Sequence, residues 1–95
     1  MSKSESELTR HWCAKLEACG ASVLPVVAGM RGKSGWPDRF IAYRDQDTGA
    51  SGSVWLEFKL ANGVVKPLQR MIILKLCQNG QRAYVARYVG TIIEI

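Results

Sequence analysis

Several things that would fix a function at once are missing. No apolar run approaches the length of a bilayer span; the strongest, Met71 to Leu74, is too short. The opening Met1-Ser2-Lys3-Ser4-Glu5 lacks the apolar core of a signal peptide, so a cytoplasmic location is expected. The three cysteines, Cys13, Cys19 and Cys77, form no CxxC pair, and the single histidine, His11, has no partner at metal-ligand spacing. Zinc binding and Cys/His nucleophilic catalysis are thereby disfavoured. The cysteines read as small apolar helix residues, and His11 as part of a solvated helix face. There is no internal repeat, linker or low-complexity segment, which implies one domain over residues 1–95. Acidic residues are scarce: 8 Asp and Glu stand against 13 Lys and Arg, a net charge of +5 that favours a polyanionic partner. Charge alone predicts adhesion, not chemistry.

What is present has the rhythm of a mixed α/β domain. Leu8, Trp12 and Leu16, with Cys19 near the same stripe, predict a helix from about Ser4 to Cys19. Ser4 and Glu7 have capping-box spacing, and Gly20 suits the stop. Val23 to Val27 is a short β-rich run in which Pro25 points to an edge strand. A glycine-rich basic loop, Ala28 to Gly35, follows. Arg39–Tyr43 and Ser53–Leu60 read as strands of a hairpin around the polar turn Asp45 to Gly52. Pro67 opens a second helix that stops at Asn79-Gly80. Arg82–Tyr88 and Thr91–Ile95 are two more strands, giving the order α-β-β-β-α-β-β.

The chemistry lies in Ser53 to Leu60. Alternation puts Val54, Leu56, Phe58 and Leu60 on one face of the strand, with Glu57 and Lys59 on the other, about 7 Å apart. A solvated charged face would look the same. Trp36-Pro37-Asp38, at the mouth of the preceding strand, changes the odds, because a returning hairpin can set Asp38 beside Glu57. Two carboxylates at that range repel unless a divalent cation lies between them, and oxygen ligands that leave room for water suit Mg²⁺. Lys59 can then orient water or neutralise charge on a phosphate.

Pro37-Asp38, followed nineteen residues later by Glu57-Phe58-Lys59, resembles the PD-(D/E)xK nuclease signature. Gly35-Trp36-Pro37-Asp38, and Gln69 in the second helix, resemble the VRR-NUC branch of that superfamily. The opening helix, Glu5-Ser6-Glu7-Leu8 with Trp12 and Leu16, is similar to that branch and to archaeal Holliday-junction resolvases. The resemblance spans nearly the whole chain. It implies a restriction-endonuclease-like α/β fold with a mixed sheet flanked by helices. It also implies Mg²⁺, with Mn²⁺ as substitute, held by Asp38, Glu57, the Phe58 carbonyl and Glu5, with Lys59 and Gln69 as catalytic partners. Glu5 is preferred to Glu7 because it lies on the Leu8–Trp12–Leu16 face. Gly32-Lys33-Ser34 mimics the end of a P-loop but lacks its first glycine, at Val27, and the helix that should follow. Arg31 and Lys33, with Lys66 and Arg70, are expected to touch phosphates, and Arg39, Arg44, Arg82 and Arg87 to extend that surface.

The expected activity is endonucleolytic cleavage of DNA, leaving 5′-phosphates. A chain this small has little surface for reading base sequence, so selection should rest on DNA shape, as in four-way junction resolvases. Symmetric cutting needs a homodimer, for which Ile92, Ile93 and Ile95 are candidate contacts. No organic cofactor or membrane is expected. A phage or mobile-element origin fits the resemblance. Two rivals are a catalytically silent DNA-binding module of the same fold and a monomeric flap or nicking nuclease.

Overall fold

A computed structural model describes residues 4–26, 35–89 and 92–94. Its elements are α1 (Glu5–Ala18), β1 (Ser22–Pro25), β2 (Arg39–Arg44), β3 (Ser51–Leu60), α2 (Pro67–Gln78), β4 (Ala83–Val89) and β5 (Ile92–Glu94). The order matches the sequence expectation, and no end differs from it by more than two residues. Residues 28–34 of the basic loop, with Arg31, Lys33 and the P-loop mimic, lie outside the described residues, as does Ile95.

The strands form one five-stranded sheet in the order β1-β2-β3-β4-β5. β3 and β4 are parallel, with α2 as their crossover, and the other pairs are antiparallel. Pro25 does fall on an edge strand, where its missing N–H costs no ladder bond.

Alternation along β3 divides the sheet into two unlike faces. Leu56 and Phe58 look toward α1, where Ile41, Ala86, Tyr88 and Cys13 complete the buried core, with Leu8, Trp12 and Leu16 packed against it. Phe58 has no solvent exposure, and burying such a ring contributes about 2–3 kcal/mol. Ser4 caps α1 by accepting the Glu7 backbone N–H at 3.3 Å, and Gly20 takes the left-handed conformation (φ 98°) after it. Of the three cysteines only Cys13 is core; Cys19 and Cys77 are exposed. Cys19 falls on the cap of α1, one step past the apolar stripe, which is why its side chain escapes burial.

The opposite face carries Trp55, Glu57 and Lys59, with α2 laid over the β4 side through buried Leu76 and Ala83. Arg87, the register partner of Lys59, donates to the carbonyls of Leu60 (3.2 Å), Ala61 (3.4 Å) and Gly63 (2.6 Å). This side chain ties the β3–α2 turn to β4. Arg82 is likewise engaged, with the Tyr43 hydroxyl at 2.8 Å.

Candidate metal centre

The site begins with a register. Arg39 pairs with Leu56 in the β2–β3 ladder, so the residue before it, Asp38, stands across from Glu57. Pro37 is fully buried and anchors the entry. The Asp38 carbonyl accepts from the Val26 N–H (2.8 Å) and the Arg39 guanidinium (3.0 Å), which holds the backbone still. Its carboxylate Oδ2 accepts the Phe58 N–H at 3.1 Å, pinning the acid to β3. Glu5, in the first turn of α1, is the third member. One carboxylate oxygen from each of Glu5, Asp38 and Glu57 lies within 4.8 Å of the other two. Glu7 is exposed and stands apart from this group, as the face periodicity anticipates.

Around the acids stand the two remaining expected partners. Lys59 Nζ is 3.7 Å from Glu57 Oε2, with its side chain 11% exposed. Gln69 donates from Nε2 to the same oxygen at 3.5 Å, while its Oε1 accepts the Lys66 backbone N–H at 2.9 Å. One amide thus ties the start of α2 to the acid on β3. Lys66 and Arg70 flank Gln69 as exposed cations.

Glu57 is the anomaly that gives the cluster meaning. It is 2% exposed, and its Oε1 has no hydrogen-bond partner among the described residues. Burial first, then the charge of Asp38, pushes its carboxyl up to about 7, with Lys59 pulling it back down. A carboxylate kept buried, crowded by two others and left with an idle oxygen is costly as an apolar core residue would not be. The same oxygens form a hard, all-oxygen donor set of the kind that takes Mg²⁺, Mn²⁺ or Ca²⁺. The residues therefore fit a divalent cation. Among the described residues, no His or Cys joins the group.

The sequence reading missed three details. It did not anticipate that the Phe58 N–H would donate to the Asp38 carboxylate. It did not anticipate the double grip on the Asp38 carbonyl, since hydrogen bonds to backbone leave no pattern in side-chain order. It also overlooked that Trp36 and Trp55 meet beside the site, their rings 5.4 Å apart. The alternation that puts Trp55 on the Glu57 face was a signal for it.

No family model matches the sequence, and no curated protein matches it significantly. Among solved structures, the chain is similar to a Holliday junction resolvase, Hjc, of the archaeal hyperthermophile Archaeoglobus fulgidus. The TM-score is 0.63 at 14% identity, covering 90% of this chain and 68% of that one. The likeness shows a shared fold. The mixed α/β sheet with flanking helices is accordingly restriction-endonuclease-like, as the resemblance implied.

Proposed function

We propose that the chain is a divalent-metal-dependent endonuclease that hydrolyses DNA phosphodiester bonds, a minimal VRR-NUC-like domain spanning residues 1–95. The observation that carries this reading is the convergence of Glu5, Asp38 and Glu57, from three separate elements, within 4.8 Å, with Lys59 beside them. Asp38 and Glu57 would hold the ion, with Glu5 completing the shell directly or through water and the Phe58 carbonyl as a further oxygen. When bound, such an ion supplies Lewis-acid activation of the phosphate and a more acidic water.

The protein's own groups do the rest. Lys59 is close enough to Glu57 to share its charge, and it offsets the negative charge that grows on the phosphate as water adds to phosphorus. The bond from phosphorus to the 3′-oxygen breaks, so the products carry a 5′-phosphate and a 3′-hydroxyl. Gln69 keeps Glu57 turned inward and fixes α2, whose Lys66 and Arg70 receive neighbouring phosphates along with Arg31 and Lys33. The neighbour of like fold is named for acting on Holliday junctions, which supports branched DNA as the substrate class and a homodimer as the working form.

A cleavage panel tests this reading. Four-way junctions, flaps, single strands and plain duplex are incubated with Mg²⁺ or Mn²⁺, with Lys59→Ala as the blank. Metal-dependent cutting of branched DNA, reduced at least about a hundredfold in the variant, is expected. Equal turnover by Lys59→Ala, or none by the intact chain on any substrate, refutes it.

A further inference from the structure

Behind the carboxylates, on the α1 side of the sheet, lies a hydroxyl that packing alone does not require. Tyr88 on β4 is the register partner of Leu60 and sits in the core at 5% exposure. Its ring stacks on Phe58, with 5.9 Å between centroids and 15° between planes. Phe58 is the residue whose N–H holds the Asp38 carboxylate. A phenylalanine at position 88 would make the same stack. The tyrosine adds an Oη that is enclosed and has no hydrogen-bond partner among the described residues. A buried hydroxyl in that condition has given up its water without return and lowers stability.

Its surroundings are those of the metal centre. Thr9, also 5% exposed, faces Tyr88 from the second turn of α1. The Thr9 proton is already taken, because Oγ1 donates to the carbonyl of Glu5 at 2.8 Å. Burial pushes the Tyr88 hydroxyl up to about 12; Thr9 pulls it back, and Cys13, Glu5 and Asp38 push it further. The group therefore keeps its proton at neutral pH and can donate it. Glu5 is the acid that reaches the cluster from α1, the helix whose Leu8, Trp12 and Leu16 pack on the core around Tyr88. Carboxylates that hold a metal are themselves hydrogen-bonded by outer groups, which fix their orientation.

Resting on the metal-dependent reading above, we propose that Tyr88 is a positioning residue, whose Oη–H donates to the Glu5 carboxylate when a divalent ion binds and so fixes the third acid against that ion. Because the bond forms with the ion, it adds to ion affinity and leaves the ion-free protein no more stable. The hydroxyl that packing does not need is thereby given a partner.

Tyr88→Phe, which keeps the stack on Phe58, is compared with the native chain by Mn²⁺ titration followed by electron paramagnetic resonance, and by thermal melts in chelator. The variant should bind Mn²⁺ about tenfold more weakly, yet melt in chelator at the native temperature or slightly above it. In a Glu5→Ala background, itself weakened, the same change should cost no further affinity, because the acceptor is gone. Equal Mn²⁺ affinity of the native chain and Tyr88→Phe overturns the inference alone. So does a loss that adds in full to that of Glu5→Ala, or a Tyr88→Phe that melts well below the native chain in chelator. A native chain that takes up no Mn²⁺ refutes the metal centre itself, and the nuclease reading with it.

Discussion

Glu57 sits between Leu56 and Phe58 on β3 and is as buried as they are, yet it is an acid. Its carboxyl is raised from the ordinary 4.5 to about 7 by burial and by Asp38. Between those values the folded chain keeps a proton that the unfolded chain has lost. The stability this residue contributes is therefore complete below about pH 4.5 and drains away as pH rises through about 7. Cation binding runs the other way, because it needs the anion. In a chelator, the melting temperature of the native protein relative to Glu57→Gln should drop by roughly 10 °C between about pH 5 and about pH 8. Mn²⁺ should erase that drop in the native chain and do nothing for the variant. Melting curves at several pH values, with and without the metal, check both halves.

At the scale of elements, the site depends on how α2 is held against the strand entry. Arg87 pins the turn leading into the helix, Gln69 links its first turn to Glu57, and Gly35 leaves room for Leu68. Gly35 and Gly80 have nearly the same backbone, φ +84° and +82°, but a Cβ at Gly80 meets nothing within 4 Å. Gly80→Ala should cost about 1 kcal/mol, the backbone penalty alone. Gly35→Ala should cost about 2–3 kcal/mol, because Leu68 must also move. Urea unfolding measures the difference. Loss of metal-dependent cleavage is expected only for Gly35→Ala, since only that site adjoins Gln69.

For the molecule as a whole, three elements distant in sequence must meet before any carboxylate cluster exists: α1 brings Glu5, the entry to β2 brings Asp38, and β3 brings Glu57. The cluster is therefore a property of the folded state, and a ligand that prefers it should stabilise the whole domain. The sheet ends on β1 at one side and β5 at the other, and β5 is an open edge in the described chain. That edge, where Ile92 and Ile93 fall, is the expected meeting line of two copies. Sedimentation at micromolar concentration should give a dimer. A monomer would remove the junction-resolving form and leave a nicking or flap enzyme, with the carboxylate site unaffected.

Much of this was readable from residue order. Ser4, Pro25, Pro67 and the glycines at 20 and 80 mark where elements begin, end or lie at an edge, through backbone chemistry that needs no distant partner. The two-residue alternation of β3 put Glu57 and Lys59 on one face, and the helical stripe singled out Glu5. Order alone did not say what each face would meet. That Glu57 is buried instead of solvated, that Arg87 spends its donors on carbonyls, and that Trp36 reaches Trp55 all follow from the pairing of segments far apart in the chain. Local periodicity sets the direction in which a side chain points, because it comes from backbone geometry. The company it finds there is set by strand register and helix packing, which emerge only when the chain closes on itself.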